Sequence, residues 1–382
     1  MACFLFASDS FKGSLSSGEI ASILEQEALH AFPQATCRKL VVADGGEGTV
    51  DALLSAVAGE RVEVEVTGPL GGPVKAAFGM LEDGRAVVEL AASSGLTLVP
   101  ALERNPENTT TYGFGELIRA ALDRGANEVV LALGGSATND GGMGALRALG
   151  VVFRDAFGAE LEGYGRDLGR VEYVDMANLD PRVATTAFTA MSDVTNPLLG
   201  ERGATCVFGP QKGADRAMLG RLEVGMETYA SRLAAASGVD PSNVPGAGAA
   251  GGMGAAAVAG LGARIVSGID ALLDLAGFDE LLQGVDLCVS GEGHADSQSV
   301  DGKVLSGIAR RCKRGGVPLL AIVGGMDEGA RALLDIGVTE LVPCVDPSVP
   351  LDEALEHAEE NYRRVAAAAF SRLAASKAEV CS

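Results

Sequence analysis

EVVLALGGSATNDGGMGALRALG, residues 128–150, joins a short apolar run, a turn in which five of the eleven residues 134–144 are glycine, and a stretch of helix formers closed by Gly150. Glu128 to Leu133 has strand character and Met143 to Leu149 helical character, so the glycines fall at a strand-to-helix turn. Bare backbone N–H groups and the positive end of a helix dipole can meet phosphate or carboxylate oxygens there. A single turn of this kind is also compatible with a tight turn that holds no ligand. Its weight comes from the similar loops that surround it.

On either side the chain alternates strands and helices. The first 60 residues read as two β–α units: strand Ala2 to Ala7, helix Ser17 to Ala31, strand Lys39 to Val42, helix Gly48 to Val57. Ser16 with Glu19 three residues on is a capping-box signature for the first helix. RVEVEV, VKAAFGM and RAVVEL, between Arg61 and Leu90 and separated by GPLGG and EDGR, read as an antiparallel meander. The tail returns to alternation: strand Val285 to Val289, helix Val304 to Lys313, strands Pro318 to Val323 and Glu340 to Pro343, and one long helix Leu351 to Ala375. Alternation of this kind gives parallel strands with helices on both faces. The expected fold is α/β: a Rossmann-like parallel-sheet domain built from both chain ends, 1–60 and 284–382, with a second α/β domain, 61–283, inserted between them.

Composition limits the chemistry. The chain has 382 residues, is 47% hydrophobic and 21% charged, and carries 52 glycines, which describes a globular chain with many special turns. A formal charge of −21 speaks against nucleic acid or an anionic membrane as partner, since either needs a basic face. Small anions would have to be held by amides, helix N-termini, metal ions and a few placed cations such as Lys12, Lys212 or Lys303. Seven cysteines without a CxxC pair point to reduced thiols, and no apolar run approaches a membrane span or a secretory signal, so a cytoplasmic protein is expected. GxxxxGK[ST], HExxH and GxSxG are absent from the sequence, and three histidines leave little room for histidine catalysis.

Five further loops carry chemistry. DSFKGSLSS (Asp9 to Ser17) follows the first strand, where open α/β sheets place ligands, and offers Ser10 and Lys12. It also suits helix capping. ADGGEGT (Ala43 to Thr49) sets Asp44 and Glu47 at a helix start, able to cap or to hold Mg²⁺. SDVTNPLLG (Ser192 to Gly200) presents Asp193 at a strand end, fit for a base that takes a hydroxyl proton or for an ordinary turn. PGAGAAGGMG (Pro245 to Gly254) contains GxGxxG at Gly246, Gly248 and Gly251, yet a proline-containing loop precedes it where a dinucleotide fold needs a strand. That discounts NAD, while a nucleotide phosphate or close helix packing remains open. GEGHADSQSVDGK (Gly291 to Lys303) brings Glu292 and Asp296, able to take a hydrated metal, and Lys303, able to meet phosphate.

Taken in order, DSFKGSLSS, ADGGEGT, NPENTTTYGFGELI (Asn105 to Ile118), GGSATNDGG, FGPQKGA (Phe208 to Ala214), PGAGAAGG and GEG followed by DGK resemble the glycerate kinase family, the bacterial type-I glycerate 2-kinases. The resemblance implies ATP-dependent phosphorylation of D-glycerate, in many members at the 2-hydroxyl, by a two-domain α/β enzyme. Ser8 stands where the family commonly has proline. His294, Ala295 and Ser297 replace the usual Arg-Ile-Asp-Gly run, so an expected guanidinium is missing at 294.

Phosphoryl transfer needs in-line positioning and charge neutralisation more than covalent chemistry. On that basis Gly134, Gly135, Ser136, Asn139 and Asp140, with Ser10 and Lys212, are expected to bind substrate or phosphate oxygens. Lys12 would pair with an anion and Asp193 accept the hydroxyl proton. Gly246, Gly248, Gly251 and Lys303 would meet the nucleotide, and Glu292 and Asp296 would hold Mg²⁺, with Asp44 and Glu47 as further metal candidates. A monomer or homodimer is expected. Three competing readings are the same transfer to the 3-hydroxyl, an NAD-dependent 2-hydroxyacid oxidoreductase, and a binder of small carboxylates without catalysis.

Overall fold

The computed structural model describes residues 1–11, 13–42, 48–300, 303–346 and 348–380. Its contacts divide the chain into two compact units, one of Met1–Asp44, Ser55–Val57 and Ile269–Ser382, the other of Gly45–Leu54 and Ala58–Gly268. These limits differ from the sequence boundaries at 60 and 284. The helix Gly268–Leu275 is drawn to the chain's tail because the buried Arg311 donates to Asp270 O at 2.9 Å and to Asp274 Oδ1 at 2.7 Å. At the other boundary, the helix Thr49–Ala56 is anchored by the buried Glu89, whose Oε1 accepts from Val50 N at 2.6 Å.

The eleven strands of the two main sheets are, in chain order, β1 (Cys3–Phe6), β2 (Thr36–Lys39), β3 (Gly59–Thr67), β4 (Pro73–Leu81), β5 (Arg85–Glu89), β6 (Glu128–Ala132), β7 (Ala187–Met191), β8 (Arg264–Val266), β9 (Leu287–Ser290), β10 (Leu319–Val323) and β11 (Glu340–Pro343). In the first unit they run β11-β10-β9-β1-β2, every neighbour parallel. The helices Ser17–Ala31 and Ala358–Val380 cover one face, with Phe4, Phe6 and Phe370 at its centre. Cys288 of β9 meets Cys312 of the buried face of the helix Val304–Gly315. Counted within the unit, this order is 2-1-3-4-5, which reverses direction between β1 and β9 and leaves a crevice at their C-terminal ends.

Two elements differ from the sequence reading. The second strand is Thr36–Lys39, earlier than Lys39 to Val42, because its register on β1 pairs Cys3 with Thr36 and Phe6 with Lys39. As an edge strand it needs little apolar content, so the apolar Leu40 and Val42 misplace it. The last helix breaks at His357 into Leu351–Glu356 and Ala358–Val380.

In the second unit the order is β8-β7-β6-β5-β4-β3. From β8 to β5 the strands are parallel, and β5, β4 and β3 form the expected antiparallel meander. The parallel part aligns the loops that follow β5, β6 and β7 along one edge of the sheet. Both units are thus α/β with parallel-sheet cores.

Candidate functional site

In the second unit the glycine turn leaves β6 at Leu133. Gly134 is half-buried and Gly135 is exposed in the left-handed region, φ 72°, a conformation that glycine tolerates without steric cost. The turn is pinned from one side: Gly135 O accepts from Leu96 N at 2.8 Å, and Ala137 N donates to Ser94 O at 2.9 Å. Among the described residues, the amides of Gly134, Gly135 and Ser136 find no acceptor. Below them lies Lys212, 2% exposed, whose Nζ donates to Ser136 Oγ at 2.8 Å and to Thr138 O at 2.7 Å. Burial pushes Lys212 down to about 7, with Asp140 opposing the shift, and no carboxylate forms an ion pair with it among the described residues. Amides without an acceptor, beside a buried lysine that pairs with no carboxylate among the described residues, can cradle an anion.

Asn139 and Asp140 do not reach that cradle. Asn139 is fully buried, its Nδ2 donating to Thr205 Oγ1 at 3.1 Å. The carboxylate of Asp140, also fully buried, accepts from Thr111 N at 2.8 Å, Thr111 Oγ1 at 2.7 Å, Gly142 N at 3.1 Å and Gly144 N at 3.2 Å. Burial raises its pKa against the pull of these donors. Thr111 Oγ1 accepts in turn from Ala145 N at 2.9 Å, so one carboxylate ties the helix starts at Tyr112 and Met143 together. Both side chains are buried, Asp140 bracing the turn, while Asn139 Oδ1 has no partner among the described residues.

Asp193 stands two residues past the end of β7, as Gly134 stands two past the end of β6, and those ends are in register, Ala132 opposite Met191. Its side chain is exposed, with Oδ1 accepting from Gly268 N at 2.8 Å and Ser267 Oγ at 3.3 Å.

The GxGxxG stretch is buried as well. What precedes it is the helix Arg216–Ser237 and a loop, with no strand between. Gly246, Gly248 and Gly251 are all buried, and a Cβ on Gly251 would lie 2.0 Å from Thr138 O, one on Gly248 2.3 Å from Pro197 O. Gly141 N donates to Gly251 O at 3.0 Å. These glycines let two loops touch backbone to backbone, the close packing that the sequence reading held open.

In the first unit the loops after β1 and β9 meet at the crevice, Asp9 N donating to Gly291 O at 3.0 Å. Ser10 N donates to Asp9 Oδ1 at 2.7 Å. Glu292 is buried and its Oε1 has no hydrogen-bond partner among the described residues. Burial raises its pKa, Ser299 and Lys303 lower it, and the charges of Asp9 and Asp296 raise it again. Asp296 Oδ1 accepts from Gln298 N at 2.8 Å and Ser299 N at 3.1 Å and lies 3.6 Å from Lys303 Nζ. His294 sits 3.4 Å from Asp327 Oδ1, a surface contact. Lys12, Asp44 and Glu47 lie outside the described residues. Among the described residues no group of three or more His, Cys, Asp or Glu could hold a metal ion. An orphaned buried carboxylate oxygen still suits Mg²⁺, which takes one or two protein carboxylates and completes its shell with water and phosphate.

A doubly wound sheet with acidic loops at its switch point, and a second sheet ending in an anion cradle, define an α/β enzyme for small anions. The sequence profile of the glycerate kinase family matches residues 4–374. The chain is 46% identical to glycerate kinase of Bacillus subtilis (strain 168) over 363 residues, covering 95% of each, and 42% identical to glycerate 2-kinase of Escherichia coli (strain K12) over 361 residues, 94% of this chain and 95% of the relative. A crystal structure from Salmonella typhimurium LT2, provisionally assigned as glycerate kinase 2, superposes with a TM-score of 0.87 at 42% identity, over 98% of this chain and 99% of that one. This chain belongs to the glycerate kinase family.

Proposed function

We propose that the protein transfers the terminal phosphoryl group of ATP to the 2-hydroxyl of D-glycerate in the presence of Mg²⁺. The observation that carries this reading is the cradle of Gly134, Gly135 and Ser136, whose free amides sit over Lys212. Family membership names the anion as glycerate, and the Escherichia coli relative's name favours position 2. In this reading the amides and Lys212 hold anionic oxygens of the bound substrates in place. Asp193, on the neighbouring strand end, accepts the hydroxyl proton as the oxygen attacks. Lys12 and Ser10 contribute further anion contacts, and Lys303 meets a nucleotide phosphate.

Glu292 and Asp296, with Asp44 and Glu47 as further candidates, would hold Mg²⁺. When bound, the ion supplies neutralisation of phosphate charge. Carbon–phosphorus NMR of the product made from ATP and D-glycerate tests both activity and position: phosphorus coupling centred on C2 is expected. A product phosphorylated on the terminal carbon would move the reaction to the 3-hydroxyl, and absence of any phosphorylated product would overturn the reading.

A further inference from the structure

Arg104 lies between the short 3-10 turns Ala101–Glu103 and Pro106–Asn108 of the second unit. Its backbone is pressed against the turn that carries Lys212: a Cβ on Gly213 would stand 2.2 Å from Arg104 O and 2.9 Å from Arg104 Cβ. The side chain is partly buried, and Nε, shielded from solvent, has no hydrogen-bond partner. Among the described residues, no carboxylate or carbonyl accepts from any nitrogen of this guanidinium. Arg202, Arg216, Arg264 and Arg331 are exposed, whereas Arg104 is partly buried, and Arg221 is paired bidentately with Glu107.

A lysine in such surroundings can relieve itself by losing its proton, whereas a guanidinium keeps its charge. With no acceptor for Nε among the described residues, the guanidinium is free to take an anion from outside the chain. A planar fork of N–H donors matches a carboxylate in two parallel hydrogen bonds. We infer that Arg104 recognises the carboxylate of the hydroxy-acid substrate, beside the cradle built on Lys212. This deepens the proposed glycerate kinase reading and rests on it. The carboxylate is favoured over a nucleotide phosphate because Arg104 is held against the turn that carries Lys212, whose cradle is assigned to the hydroxy acid.

The test is steady-state kinetics of Arg104→Met and Arg104→Lys, with D-glycerate and with its uncharged amide as acceptors. Loss of a bidentate charged contact is expected to raise the KM for glycerate about 10- to 100-fold while the KM for ATP stays within about twofold. Preference for glycerate over the amide should shrink by a similar factor, with partial recovery in Arg104→Lys. A raised KM for ATP with that for glycerate unchanged would overturn the inference, as would no change in either. Should Arg104→Met fail to fold, the lysine variant decides by itself: glycerate KM and acceptor preference equal to those of the unaltered enzyme would overturn the inference. If the unaltered enzyme does not phosphorylate glycerate, the functional reading fails first and takes this inference with it. Turnover by the unaltered enzyme separates the two failures.

Discussion

At the scale of single residues, Lys212 carries the sharpest physical consequence. Held near 7 in the folded protein against 10.5 as its ordinary value, it binds fewer protons folded than unfolded between those two values. Stability from this group therefore rises with pH across that window, and below about pH 7 the cost of burying the charge is present in full. Denaturant titrations of the protein and of Lys212→Met should show the unaltered protein gaining on the variant from about pH 7 to about pH 9. A flat difference would mean that Lys212 stays charged throughout. Asp193 makes a kinetic prediction: Asp193→Asn keeps the glycerate KM but lowers kcat about 10²- to 10⁴-fold. Its carboxylate also accepts from the buried Gly268 N at the start of the helix Gly268–Leu275, so the thermal midpoint is measured beside kcat, and a folded variant with unchanged kcat would remove Asp193 as the base.

At the scale of elements, the cradle is held by parts that never touch a ligand. Asp140 gathers four donors from three residues, Thr111, Gly142 and Gly144, and Asp140→Asn turns an acceptor into a donor facing N–H groups. Stability should fall by about 2–4 kcal/mol, measured as the shift of the urea midpoint. Gly251→Ala tests the loop contact: φ is 66° there and the new Cβ would meet Thr138 O at 2.0 Å. A loss of about 2 kcal/mol or more is expected, together with weaker glycerate binding, since Thr138 also positions Lys212. Normal stability in Gly251→Ala would show that the two loops part without cost. Much of this layer was legible from the chain alone. The capping box Ser16–Glu19, the glycine turn after β6 and the meander of β3 to β5 all rest on contacts between near neighbours in sequence. Thr111 and Thr205 were not legible as partners of Asp140 and Asn139, because a threonine at or in a helix start gives no signal until a distant segment folds against it.

At the scale of the whole molecule, no membrane-crossing helix is present among the described residues, and each unit closes its own core. Glu292 and Asp296, proposed for Mg²⁺, lie in loops outside both apolar cores. Chelation of Mg²⁺ is therefore expected to abolish turnover while leaving the far-UV circular dichroism and the thermal midpoint unchanged. A marked fall in the midpoint on chelation would reveal a structural ion. With a net charge of −21, an anion bound at the proposed cradle must be drawn in locally against the charge of the whole.

Sequence by itself determined the local architecture. Strand-to-helix turns, their glycines and the βα alternation follow from near-neighbour sterics and periodicity, which are complete within a few residues. Only the tertiary structure decided which glycine loops face solvent and which are pressed together. Gly135 and Gly251 share a left-handed backbone, yet one offers its amide to solvent and the other packs against Thr138. The difference lies in what arrives from more than a hundred residues away along the chain, and burial and charge are settled by those arrivals.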